Sequence, residues 1–202
     1  MTVAEAVALL ATAMAADAAF TAAFEPLGGR DRLTAGEDNM PRDLATTNAT
    51  VATSGTLRGR FFTARTASAL TQVRMYSGAT AAGATPTLIR VGVWAATAAG
   101  VLTSLEASTA NDTSLLAVAN TAYTKSLQAS WTPTRGQRYF AALLVVTAAT
   151  APTMQGSQTT GSPLALGESP VLAGFLSGQT DLPSTATVSS LTGQVPYLMF
   201  LP

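Results

Sequence analysis

The sequence predicts a mainly β protein, an antiparallel β-sandwich preceded by one N-terminal α-helix. From residue 51 onward, short runs rich in Val, Thr, Leu and aromatic residues are separated by Gly, Pro, Ser and Asn, a pattern typical of a sandwich or barrel. Residues 3–24, in contrast, contain no glycine or proline and are dominated by alanine, the best helix former. With 202 residues, 48% of them hydrophobic, the chain is long enough to bury a sizeable core.

The N-terminal helix is predicted over residues 1–27. Thr2 and Glu5 have the spacing of a capping box, and Pro26 followed by two glycines ends the helix. Its apolar stripe, the candidate oligomerisation surface, comprises Val3, Val7, Leu10, Met14 and Phe24. The spacing of this stripe is nearly heptad. The helix is therefore expected either to pack on its own domain or to bundle with copies of itself or a larger assembly.

Membrane insertion and a signal peptide are both disfavoured for this helix. Glu5 and Asp17 interrupt the segment, and alanine is only weakly apolar, whereas a membrane span needs about 20 strongly apolar residues. A signal peptide starts with basic residues, but the first basic residue here is Arg30. We therefore expect neither a membrane span nor export by a signal peptide.

Residues 28–50 are predicted as an extended connector, and the charge of the chain changes sign near its end. Residues 1–43 contain seven acidic and three basic residues, residues 44–138 contain two acidic and eight basic ones, and two acidic residues follow. The formal net charge of zero thus combines an acidic arm with a basic body, which favours contacts between parts or copies of the chain. Because the chain as a whole has no basic excess, no nucleic-acid partner is expected.

The sandwich domain is predicted over residues 51–202. Its candidate strands are Gly55–Ala67, Leu70–Tyr76, Leu88–Ala95, Val101–Ala107, Tyr123–Trp131, Gln137–Thr147, Val171–Leu176, Thr185–Leu191 and Tyr197–Leu201. A short turn of helix is expected at Ser114–Ala119. Residues 139–146 are apolar on both faces, which predicts a central strand that is covered on both sides.

Strand alternation identifies the residues that face away from the predicted core. Arg74 and Tyr76 share one face of the second candidate strand, and Arg90 and Trp94 share one face of the third, each opposite a row of aliphatic residues. Arginine and aromatic residues concentrate binding energy at interfaces, and aromatic rings also stack on sugars. The candidate ligand or interface residues are Arg74, Tyr76, Arg90, Trp94 and Trp131. Trp94 is expected to be exposed in an isolated protomer.

Two segments resemble the jelly-roll modules of phage tail fibres, minor tail proteins and related virion appendages. The first combines VRMY at 73–76, IRVGVW at 89–94 and a turn at Ala99-Gly100, and the second is TPTRGQRYFAAL at 132–143. The resemblance covers about residues 55–147. It implies an antiparallel jelly-roll sandwich, often attached to a helical or fibrous anchor and often trimeric. It brings no catalytic motif with it.

The composition excludes most catalytic templates. The chain contains no histidine and no cysteine, so the commonest general base, the commonest metal ligand and thiolate nucleophiles are missing. The only close pair of carboxylates is Glu37-Asp38, and the loop around Asp112 offers one carboxylate, too few for a good calcium site. The sequence therefore predicts a noncatalytic protein with no cofactor and no metal.

Together with the resemblance, these observations predict a structural component of a phage virion, assembled in the host cytoplasm and tail-associated, as a minor tail, fibre or baseplate protein. The expected partners are copies of the chain in a homotrimer, other virion proteins and a host-surface glycan. Two alternatives stay open, a capsid decoration or head-fibre protein and a carbohydrate-binding module. An enzyme is least favoured, and would depend on acids such as Glu106 and Glu168.

Overall fold

The computed structural model describes residues 36–45, 47–50, 54–82, 86–147, 151–158, 169–190 and 193–202. The predicted N-terminal helix, with its apolar stripe, lies outside the described residues. So do Glu168 and the first part of the predicted connector.

The described residues form β-strands together with one short 3-10 helix at Arg42–Leu44. The strands are β1 (Glu37–Asp38), β2 (Thr47–Thr50), β3 (Leu57–Thr63), β4 (Leu70–Tyr76), β5 (Leu88–Ala96), β6 (Val101–Ser108), β7 (Ala122–Trp131), β8 (Arg138–Val146), β9 (Thr153–Gln158), β10 (Ala173–Leu176), β11 (Ala186–Thr187), β12 (Ser189–Ser190), β13 (Gln194–Pro196) and β14 (Met199–Leu201). The prediction of a mainly β protein is confirmed.

The strands pair antiparallel in three sheets. A four-stranded sheet has the order β1-β14-β4-β7, and a seven-stranded sheet has the order β11-β6-β5-β8-β3-β10-β12. A third sheet has the order β13-β9-β2. The connection from β5 to β6 is a hairpin whose turn ends at Gly100, where φ is 85°. The turn predicted at Ala99-Gly100 is therefore present.

The largest apolar cluster joins the four-stranded and seven-stranded sheets. Val73 and Met75 of β4, Ile89 of β5 and Leu143 of β8 all lie in it with no exposed surface, so the alternation read from the sequence assigns these faces correctly. Strand β8 pairs with β5 on one side and β3 on the other. Its residues are buried on both faces, so the prediction of a covered central strand is confirmed.

A second apolar cluster lies on the opposite face of the seven-stranded sheet, and it contains Trp94. The indole is fully buried, and its Nε1 donates a hydrogen bond to the carbonyl oxygen of Pro183 at 2.8 Å. Val188 and other residues from the segment 171–188 cover this face. The prediction that Trp94 is exposed is therefore wrong, because alternation assigns a side chain to a face but does not say what packs over that face.

Some strands lie where the sequence predicted none. The predicted connector contains β1 and β2, which pair with β14 and β9 respectively, so the sheets begin before residue 51. Strands β9 and β13 pair with each other and were also missed. The segment predicted as Ser114–Ala119 helix is instead a series of turns, in which Leu116 has a φ of 65° that a right-handed helix does not accommodate.

Strand β1 is held by a buried ion pair. The carboxylate of Glu37, which is 1% exposed, accepts hydrogen bonds from the backbone N–H of Arg65 at 2.8 Å, the N–H of Thr66 at 3.1 Å and the Nε of Arg65 at 3.1 Å. These three donors satisfy a charge that would otherwise be costly to bury. Glu37 thereby connects the first described strand to the loop that follows β3.

Candidate functional site

A groove of about 240 Å³ opens beside the outer face of the four-stranded sheet, the face that points away from the largest apolar cluster. Its lining combines polar and apolar side chains from several elements. The lining residues are Arg42, Ala45, Tyr76, Gln155, Tyr197 and Met199. One of them, Tyr76, is a candidate site residue from the sequence.

Two tyrosines form one wall of this groove. The ring centroids of Tyr76 and Tyr197 are 6.4 Å apart and their planes differ by 26°. Tyr197 is 3% exposed, whereas Tyr76 at the end of β4 is only partly buried. Tyr76 is therefore the aromatic ring that a ligand in the groove can reach, and Tyr197 supports it from the protein side.

Tyr197 is fixed by hydrogen bonds on its side chain and on both neighbouring residues. Its hydroxyl donates to Oδ1 of Asp38 at 2.7 Å. The side chain of Asn39 donates to the carbonyl oxygen of Pro196 at 2.9 Å and accepts from the N–H of Leu198 at 3.0 Å. Burial, together with the hydrogen bond to Asp38, raises the pKa of Tyr197 far above its usual range. Tyr197 is thus a neutral phenol that is held in place behind Tyr76.

The rim of the groove carries hydrogen-bonding groups. Arg42 is an exposed residue of the 3-10 helix, and Gln155 lies on β9, where its Nε2 is 3.4 Å from Oδ1 of Asn48. Arg74 stands next to the groove, since its register partner on β14 is Met199. The Nε of Arg74 donates to Oγ1 of Thr124 at 2.9 Å on the other side.

The remaining candidate site residues do not join this groove. Arg90 lies on the seven-stranded sheet, where its guanidinium binds the backbone carbonyl of Thr109 at 2.9 Å, Oδ1 of Asp181 at 2.5 Å and Oε1 of Gln128 at 2.9 Å. Its side chain is 16% exposed. Arg90 is thus engaged in holding neighbouring segments together.

Trp131 ends β7, as its sequence context predicted, but its side chain is 3% exposed and belongs to the core. Its ring meets those of Tyr139 and Phe200 edge to face, with centroids 5.1 and 5.5 Å apart. Nε1 of the indole is buried without a hydrogen-bond partner among the described residues. Neither Trp94 nor Trp131 therefore offers a surface to a ligand in this protomer.

Sequence reasoning missed five of the six lining residues of the groove, namely Arg42, Ala45, Gln155, Tyr197 and Met199. Each belongs to a segment without strong strand alternation, and the groove brings together positions separated by more than one hundred residues along the chain. The one usable signal was Tyr76, whose partly exposed ring follows from strand alternation.

The carboxylates that the sequence singled out are engaged in other contacts. Glu37 and Asp38 bind Arg65 and Tyr197, and Asp112 accepts hydrogen bonds from Lys125 at 2.8 Å and from the hydroxyl of Ser114 at 2.6 Å. In the described ranges, no group of three or more metal-ligating side chains could hold a metal ion. No helix among the same residues is long and apolar enough to cross a membrane.

Comparison with protein-family models finds no match, and a search of curated proteins finds none either.

Proposed function

We propose that this protein is a noncatalytic structural component of a phage virion, tail-associated as a minor tail, fibre or baseplate protein. The observation that carries the proposal is the strand order of the two main sheets. Four strands of one sheet follow the order β1-β14-β4-β7, and four strands of the other follow β6-β5-β8-β3. This order matches that of an eight-stranded jelly roll, an architecture used by viral capsid proteins and by lectins.

The path of the chain supports the same architecture. Strands β3, β4 and β5 alternate between the two sheets, β5 and β6 form a hairpin within one sheet, and β7, β8 and β14 alternate again. These connections, with β1 as the first of the eight strands, correspond to the two Greek keys of a jelly roll. The segments that resemble phage virion appendages cover most of these strands, which is why a virion role is favoured over other jelly-roll functions.

Assembly is the proposed mechanism. The predicted N-terminal helix, with its apolar stripe, and the acidic arm serve as the anchor, and the jelly roll projects as a rigid module that contacts the host surface. A homotrimer is the favoured state, because a nearly heptad stripe suits a helical bundle.

The oligomer is tested by size-exclusion chromatography with light scattering on the full chain at micromolar concentration. We expect the mass of a trimer, and a stable monomer would contradict the assembly mechanism. Replacing Val7 and Leu10 by Asp in the stripe should yield a monomer, whereas Thr12→Glu, outside the stripe, should leave the trimer intact.

The virion location is tested separately by immunogold labelling of phage particles with an antibody against this protein. Gold at the tail supports the proposal. Gold at the head favours the alternative of a capsid decoration or head-fibre protein, and unlabelled particles whose lysate contains the protein contradict any virion role.

A carbohydrate-binding module is the second candidate function, and the groove beside Tyr76 is the observation that favours it. A partly exposed ring between a guanidinium and a side-chain amide combines apolar and hydrogen-bonding contacts in one concave surface. A virion protein that binds a host-surface glycan and a carbohydrate-binding module both need such a surface, so the groove is compatible with both functions.

A further inference from the structure

We propose that the groove between Tyr76, Gln155 and Arg42 binds one pyranose ring of a glycan, with the sugar stacked on Tyr76. The inference rests on the proposed contact with the host surface and names the ligand class of that contact. The site is assembled from β4, β9, β14, the 3-10 helix and the segment before β14.

The size of the groove suits one sugar ring. Its volume of about 240 Å³ corresponds to roughly eight water molecules at their liquid volume. This space accommodates a single pyranose but not a drug-sized ligand, for which pockets start at about 300 Å³. Because the groove is open to solvent, the neighbouring units of a glycan can extend out of it.

The aromatic wall supplies the apolar half of sugar recognition. One face of a pyranose presents C–H groups, which pack against an aromatic ring, while its hydroxyls need hydrogen bonds. Tyr76 provides the reachable ring, and Met199 adds an apolar contact beside it. The buried Tyr197, bound to Asp38, holds Tyr76 from behind, so that little side-chain freedom is lost when a ligand binds.

The polar rim supplies the other half. The amide of Gln155 both donates and accepts, and the guanidinium of Arg42 donates through several N–H groups, which matches ligands whose hydroxyls act in both roles. None of the described lining residues carries a carboxylate, and the guanidinium of Arg42 lies at the rim. The groove therefore suits a neutral hexose or a uronic acid, and disfavours an amino sugar with a free ammonium group.

The test is a glycan array probed with the full-length protein, followed by titration calorimetry on the best hit. Four variants carry the argument: Tyr76→Ala removes the stacking ring, Tyr76→Phe keeps it, Gln155→Ala removes the amide, and Gln137→Ala removes an exposed amide outside the groove. Circular dichroism and thermal melting of each variant monitor folding.

We expect the wild-type protein to bind. Tyr76→Ala should raise the dissociation constant tenfold or more, and Gln155→Ala should raise it severalfold. Tyr76→Phe and the control Gln137→Ala should bind within about twofold of wild type. If the ligand is a neutral hexose, its affinity should not depend on ionic strength. If it is a uronic acid, its affinity should fall as the salt concentration rises.

Two results would overturn the proposal. One is the absence of binding to any array glycan, and to millimolar monosaccharides, by folded wild-type protein. The other is binding that Tyr76→Ala and Gln155→Ala both leave unchanged, which would locate the sugar elsewhere. Neither result alters the trimer mass or the immunogold label, so a failure of the groove remains distinguishable from a failure of the assembly role.

Discussion

Gly92 provides the space in which the indole of Trp94 lies. A Cβ atom at position 92 would be 2.7 Å from Cζ3 of the Trp94 ring, closer than side-chain carbons approach in proteins. Gly92 and Gly59 both register with Ala142 of β8, so a row of residues with little or no side chain crosses three strands on this face. The indole of Trp94 packs here because the residues of the sheet beneath it have little or no side chain.

We predict that Gly92→Ala destabilises the protein by about 1–3 kcal/mol, because the buried indole has no room to move aside. The distal ring atoms that would collide are absent from phenylalanine. In a Trp94→Phe background the same substitution should therefore cost much less, giving a positive coupling in a double-mutant cycle measured by urea unfolding.

Gly59→Ala is the matched control for this cycle. A Cβ at position 59 would lie 2.7 Å from the backbone Cα of Ala142, which no side-chain truncation at position 94 relieves. We expect Gly59→Ala to be equally destabilising in both backgrounds. Equal rescue of both glycine variants by Trp94→Phe would contradict the direct steric pairing of Gly92 with Trp94.

The same region shows what alternation can and cannot predict. Trp94 lies on the face that its position in the strand assigns, opposite Val91 and Val93. Its burial depends on residues 171–188, a segment with Gly, Ser and Pro and without regular alternation. Alternation of side chains along a strand thus determines which face of the sheet a residue occupies. Whether another segment covers that face is a tertiary feature that local sequence does not encode.

The strands missed in the sequence have a similar physical origin. β9 reads TMQGSQ, with a glycine and several polar residues, and β13 ends in a proline, so neither has the β-branched alternation of β5. They are strands because β9 pairs with β13 on one side and with β2 on the other. The groove depends on these same weakly patterned segments, since they carry Gln155 and lead into Tyr197, and only its Tyr76 could be predicted.

We predict that both tryptophans emit as buried fluorophores. Trp94 and Trp131 are 0% and 3% exposed and are the only two in the chain, so the native emission should be blue-shifted and resist iodide quenching. Single Trp94→Phe and Trp131→Phe variants assign each contribution. Iodide quenching of the Trp131→Phe variant close to that of free tryptophan would mean that the indole of Trp94 is exposed after all.

We predict that Glu37→Gln destabilises the protein by about 3 kcal/mol, because the buried carboxylate receives three N–H donors. An amide in its place turns one acceptor into a donor that faces other donors. Glu106→Gln, on the exposed face of β6, is the control and should change stability by less than about 0.5 kcal/mol. Chemical unfolding at pH 7 measures both. Similar values for the two variants would show that Glu37 does not fasten β1.

We predict that the contact between Asp112 and Lys125 is lost in acid. The hydrogen bond from Lys125, followed by those from Ser114, lowers the pKa of Asp112 to about 2. A carboxyl whose pKa is lower in the folded state contributes stability above its unfolded pKa of about 3.9, and this contribution disappears as the pH falls toward 2. Because the pair is partly exposed, its contribution is below about 1 kcal/mol.

Urea unfolding of wild type, Asp112→Asn, Lys125→Met and the double variant should therefore give a coupling free energy between Asp112 and Lys125. This coupling should be favourable from pH 7 to pH 4 and should shrink between pH 4 and pH 2. A coupling that stays constant over this range would mean that the ionised Asp112 does not support the turn that precedes β7.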